Sequence, residues 1–200
     1  MTGPVFNRTF LFLTMRILFS ILFLGILISA CNGRENPDLV ARKQLAAAVD
    51  SVSKPHPDTL HFAVDDKQCL AVIDGRYKDF KHKEEFPLSL FISLTTLKKD
   101  ANGHPDAQEA RIHAEIMSEI LKELNSSSVN AYIGKTTMNG FEDMMFYIKN
   151  EDENKITNIL QDLSKKHTRI KEFTFEKDPQ WEAVSEFYEA LEAGMIKKAN

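Results

Sequence analysis

"VNAYIGKTTMNGFEDMMFYIK", Val129 to Lys149, is the stretch that decides the architecture. Val129, Ala131 and Ile133 alternate with Asn130, Tyr132 and Gly134, and Met144, Phe146 and Ile148 repeat the pattern beyond Asn139-Gly140. A period of two marks half-buried strands. Asn-Gly tolerates positive φ at both central positions of a type I′ turn, so the stretch predicts an antiparallel hairpin.

Working outward, the neighbouring elements supply the rest of a layer. "FPLSLFISLTTL" (Phe86 to Leu97) is apolar and β-branched, a second strand. Between it and the hairpin, Ile112, Ile116, Met117, Ile120, Leu121 and Leu124 recur at helical spacing behind Asp106, a candidate N-cap. After the hairpin, Ile156, Ile159, Leu160 and Leu163 line one face of a second helix. That helix starts acidic and ends basic, which complements its dipole. "IKEFTFE" then reads as a last strand, and "CLAVIDGRY" as an extra strand near Cys69.

Strand–helix–strand–strand–helix–strand, from Phe86 to Glu176, predicts an α+β fold. It is the ferredoxin-like order, an antiparallel sheet with both helices on one face, here with an added N-terminal strand and a C-terminal helix. Helices on one side leave the other face open. Tyr132, Met145 and Tyr147, at the alternate hairpin positions, are expected there as an amphipathic interaction face.

The last strand runs into "TFEKDPQWEAVSEFYEAL", Thr174 to Leu191. Asp178 is placed to accept from the free N–H groups at a helix start, and Pro179 suits the first helical position. Trp181, Val184, Tyr188, Leu191 and Met195 follow at spacings of three and four, one apolar seam. This is a structural corner and needs no chemistry to explain it.

The N-terminal part reads as an address. Residues 1–30 carry Arg8 and Arg16 and no acid, and Arg16 precedes the apolar run Ile17 to Ile28. The run is short of the about 20 residues that a membrane span needs, and small residues follow it, as in a secretory signal. Ile28-Ser29-Ala30-Cys31 resembles the lipobox of bacterial lipoproteins. That resemblance implies Cys31 as the lipidated mature N-terminus, and a membrane partner through the lipid anchor. Residues 1–30 are then a lipoprotein signal peptide, 31–67 a tether and 68–200 the folded domain. Within the tether, Leu39, Leu45, Val49 and Val52 suggest a short amphipathic helix. With Cys31 blocked, Cys69 is left as a lone thiol in an apolar run.

From Leu70 to Leu191 the chain resembles the bacterial domain-of-unknown-function family 695 (DUF695). "YIGKTTMNG" leading into "FYI", and a final strand entering Asp-Pro-x-Trp before an aromatic helix, carry the likeness. The family implies no activity and no catalytic residues, and some relatives are joined to a domain like the B-type regulator of ribonuclease E.

Signatures of chemistry are sparse. The sequence contains no phosphate loop, no Gly-x-Ser-x-Gly and no His-Glu-x-x-His. His104, Asp106, Glu109 and His113 are the best metal candidates, yet Glu109 and His113 fall on the apolar helix face. His56 and His61 lack the spacing of a defined site. Asp65-Asp66 and Glu84-Glu85 read as solvated loop acids, and Lys78, Lys81, His82 and Lys83 as a basic cluster blunted by those glutamates. The formal charge of −4 does not suit phosphate neutralisation, so nucleic acid is not expected as a partner. No cofactor is expected.

The reading is a lipid-anchored envelope protein acting as a binding module on an unidentified envelope protein. Asn32, rather than Asp, after Cys31 favours the outer membrane. The alternatives are an envelope hydrolase using clustered acids or, for a chain that is not exported, a regulator akin to those of ribonuclease E.

Overall fold

The computed structural model of the protein describes residues 36–51 and 55–193. The chain divides into two units, Met1–Lys43 and Gln44–Asn200. In the first, the described residues are the opening turns of helix α1 (Pro37–Ser51), where Asn36 Oδ1 accepts from the Asp38 N–H at 3.0 Å. Cys31 and the expected signal segment lie outside the described residues, as do Val52 and Met195.

The second unit is built on an open antiparallel sheet of six strands. These are β1 (Pro57–Val64), β2 (Lys67–Asp74), β3 (Leu88–Thr95), β4 (Ala131–Met138), β5 (Phe141–Ile148) and β6 (Ile170–Lys177), in the order β1-β2-β4-β5-β3-β6. Helices α2 (Ala107–Ser127), α3 (Glu153–Lys166) and α4 (Ser185–Glu192) complete an α+β fold. The predicted hairpin is present, with Asn139 at φ 52° and Gly140 at φ 85°. Asp106 caps α2 as expected, accepting from the N–H groups of Gln108 and Glu109 at 2.9 and 2.8 Å.

The expected tether is corrected by β1. Residues 57–64 pair with β2 along their whole length, from Pro57 opposite Asp74 to Val64 opposite Lys67. Asp65 and Asp66, read as loop acids, turn this hairpin at φ 49° and 63°. Asp tolerates that region better than most residues, so the pair acts as a turn. Pro57 is admissible because it is the first residue of an edge strand.

Each face of the sheet carries a buried cluster. On one, α2 and α3 lay Ile116, Ile120, Leu124, Ile156 and Leu160 over Leu90, Ile92, Met144 and Phe146. On the other, Trp181, Val184 and Tyr188 join Tyr77, Phe80 and Phe86 over Ile73, Ile133, Met145 and Tyr147. Leu45 of α1 is buried in this second cluster. The face expected to be open is therefore covered over much of its area.

A bulge in β4 overturns the grouping of Tyr132 with Met145 and Tyr147. Counting back from the two-residue turn, an unbroken ladder would set Tyr132 opposite Tyr147. The register shifts between Tyr132 and Gly134, and Tyr132 sits opposite Phe146 instead. One extra residue moves a side chain to the other face. Gly134 permits it: at φ 146° a Cβ there would lie 2.1 Å from the Val72 carbonyl oxygen.

Candidate functional site

The Asp178 corner is the best-determined polar feature of the covered face. Asp178 Oδ1 accepts from the Glu182 N–H at 2.7 Å, and Oδ2 from the Ala183 N–H at 2.9 Å and the Tyr147 hydroxyl at 2.6 Å. Burial alone would raise this carboxyl, but those hydrogen bonds outweigh it and hold it below its ordinary range. The helix begins later than predicted. Pro179 lies in a turn, a 3-10 turn spans Glu182–Val184, and α4 follows. Trp181 makes the corner at φ 62°, stacks on Tyr147 with ring centroids 4.1 Å apart, and donates from Nε1 to the Phe86 carbonyl at 3.1 Å. Its indole is the plug of the second core cluster. The corner is structural.

Tyr147 and Met145 are 0% and 1% exposed, beneath that plug. Tyr132 faces the helices, its ring 4.9 Å from that of Phe146. The structure thus separates the three residues expected to share an exposed patch.

The metal candidates are also separated. His104 contacts the Gln68 carbonyl through Nε2 at 2.8 Å, and Asp106 is the cap of α2. Glu109 and His113 are buried in an ionic network under that helix. Glu109 meets Arg169 Nε at 2.8 Å and accepts from the Leu97 N–H at 3.0 Å, and Arg169 above all holds its carboxyl down at about 2. His113 Nδ1 lies 2.7 Å from Glu142, and its Nε2 lies 3.2 Å from the Thr95 carbonyl. Each ring nitrogen thus faces an oxygen atom. Glu142 also receives Lys135. Burial pushes its carboxyl up, but hydrogen bonds from His113 and Lys135 prevail and leave it lowered. This network is saturated by its own members. Among the described residues, no group of three or more His, Cys, Asp or Glu side chains is placed to hold a metal ion.

Several of the remaining loop residues have structural partners. His82 contacts Glu85 at 2.9 Å, Lys78 pairs with Glu192, and Lys83 sits 5.7 Å above the Trp181 ring. Cys69 is buried, its Sγ 3.6 Å from the Lys67 carbonyl.

A cleft of about 560 Å³ opens beside the plug, between β1 and α4. Its walls are apolar: Leu60, Phe62 and Val64 from β1, and Ala183, Phe187 and Ala190 from the α4 side. Phe91, Met145, Thr136 and Asp143 form the floor, and His61 and Glu186 stand among its lining residues, both exposed. A cleft of this size with few polar groups is the usual form of a small-molecule site.

The floor follows from the register. Leu60 pairs with Ala71, Ala71 with Thr136, Thr136 with Asp143, Asp143 with Ser93, and Ser93 with Glu172. Directly paired residues share a face, so one row crosses all six strands and turns polar at Thr136. Burial raises the Asp143 carboxyl; hydrogen bonds from Ser93 and Thr136 oppose this, and Glu172 and Glu142 add to the rise.

Sequence reasoning passed over Asp143. The signal was present, because Asp143 shares the strand parity of Met145 and Tyr147. β1, which supplies one wall, falls within the expected tether.

A family model described as "Family of unknown function (DUF695)" matches residues 58–188. No curated protein matches the chain, and no solved structure does. The match begins inside β1 and ends inside α4, and takes in the cleft-lining residues except Ala190.

Proposed function

Because the chain belongs to the DUF695 family of unknown function, which brings no activity with it, we propose a function from geometry and sequence: a lipid-anchored envelope protein whose folded unit binds a ligand. The observation that carries the binding half is the apolar cleft between β1 and α4. It replaces the exposed sheet face as the seat of interaction, since Met145 is its floor rather than an open surface. Lipobox-like Ile28-Ser29-Ala30-Cys31 supports the anchor, with Cys31 as the lipidated residue and the outer membrane as destination. No helix among the described residues is long and apolar enough to cross a membrane.

The segment β3-α2-β4-β5-α3-β6 is, in this proposal, a ferredoxin-like core. Its strand order, β4-β5-β3-β6, and the packing of both helices in one cluster support that reading. β1, β2 and α4 are the additions, and they build the cleft.

Two experiments test the proposal. Metabolic labelling with a fatty-acid probe is expected to mark the native chain and not Cys31→Ser; unlabelled native protein recovered inside the cell would overturn the anchor and favour the regulator. For the cleft, 4-phenylbutanol is expected to bind the full chain and to lose binding in Ala190→Trp, which fills the wall. Equal binding by both proteins would move the ligand elsewhere.

A further inference from the structure

Resting on the cleft as the binding site, we infer that its ligand is a small amphipathic organic cation, an ammonium group on an apolar body, seated with its charge against Asp143.

Ser93 of β3 and Thr136 of β4 offer Asp143 hydroxyl groups, Glu142 adjoins it on β5, and Glu172 of β6 lies across Ser93. α4 contributes Glu186 to the cleft and β1 contributes His61. No Lys or Arg lines the cleft, and among the described residues no ion pair holds Asp143, Glu172 or Glu186.

Other sequestered acids of this chain are treated differently. Glu109 has Arg169, Glu142 has Lys135 and His113, and Asp74 has Arg76 at 2.7 Å. Asp178 has two backbone N–H groups and a tyrosine. A carboxylate taken from water without a countercharge disfavours folding, so an uncompensated one at the floor of a cleft points to a charge that arrives from outside. Two lining carboxylates, Asp143 and Glu186, and no fixed cation repel an anionic ligand. A neutral ligand would cover Asp143 without compensating it. An ammonium ion compensates it, while the walls take an apolar body of a size that a cleft of about 560 Å³ accommodates.

The test uses the full chain in phosphatidylcholine nanodiscs, with isothermal titration calorimetry against three probes that share one body. These are 4-phenylbutylammonium, 4-phenylbutanol and 4-phenylbutyrate at pH 7.5, with empty nanodiscs subtracted. The ammonium is expected to bind at least about tenfold more tightly than the alcohol, the scale of one charge-assisted contact. The butyrate should give no measurable heat. Asp143→Asn should abolish the preference for the ammonium over the alcohol; Glu186→Gln should narrow the gap less.

Equal affinity for ammonium and alcohol in the native chain would overturn the inference and leave the cleft reading intact. Retention of the preference in a folded Asp143→Asn variant would overturn it too. Silence from both ammonium and alcohol would remove the cleft reading along with it. The native comparison decides the matter even if a variant fails to fold.

Discussion

Beneath α2 and α3, the buried acids Glu109 and Glu142 are met by Arg169, Lys135 and His113; on the opposite face, Asp143 is met by two hydroxyl groups. The same sheet supports both arrangements, and Glu142 and Asp143 are adjacent in β5. Their carboxyls move in opposite directions, Glu142 down and Asp143 up, although burial pushes both upward. The difference lies in the partners. A closed network with its charges matched serves the fold, whereas a partly buried carboxyl opening on an apolar cleft leaves a charge for something else to match. The charge-matched network and the cleft lie on different faces.

The largest expected effect breaks the covered face itself. Trp181→Ala removes the ring stacked on Tyr147 and leaves the Phe86 carbonyl without its indole donor. The cost should be about 3–5 kcal/mol, read by urea unfolding. A loss below about 1 kcal/mol would mean that the α4 corner is not a plug and that the cleft beside it has no fixed wall.

Next comes the helix face. Glu142→Gln keeps the shape but removes the charge shared by Lys135 and His113, and should cost about 3 kcal/mol at neutral pH. The sign with pH is fixed by the lowered carboxyl. Its contribution is present above the unfolded-state value and is lost as pH falls through the folded one. The gap between native protein and variant should therefore close on acidification. A gap that persists at low pH would show that packing, rather than charge, sets the cost.

The comparison also marks what the sequence could show. Periodicity is a local property, so the Asn139-Gly140 hairpin, the stripe from Ile112 to Leu124 and the strand at Leu88 were all legible. The Asp178 hydrogen bonds to N–H groups four and five residues on were legible too, because they are local, although the turn that delays the helix was not. Three other features were not. The bulge at Gly134 is fixed by close approach of the Val72 carbonyl, a partner on another strand. β1 carries the alternation of Leu60, Phe62 and Val64, but Pro55 and Pro57 beside it read as linker. The cleft takes Leu60 of β1, Thr136 of β4 and Asp143 of β5 from one row across the sheet, which runs on through Ser93 to Glu172 beyond the cleft. Spacing along the chain cannot reveal a row across it.

Asp143→Asn should have the smallest effect on stability, and its direction is the informative part. The amide still accepts from Ser93 or Thr136, so the hydrogen bonds survive in part and the change at acid pH should be under about 1 kcal/mol. In the native chain the carboxyl is raised. Its favourable contribution is complete below the unfolded-state value and is lost as pH rises through the folded one. Native protein should therefore lose stability relative to Asp143→Asn on going from acid to neutral pH, opposite in sign to the Glu142 pair. Saturating 4-phenylbutylammonium should cancel that loss by supplying the missing countercharge, and 4-phenylbutanol should not. Urea titrations of both proteins at several pH values, with and without each probe, read this directly. A stability difference that is flat with pH would mean that Asp143 is solvated like a surface acid, and the contrast between the two faces would vanish.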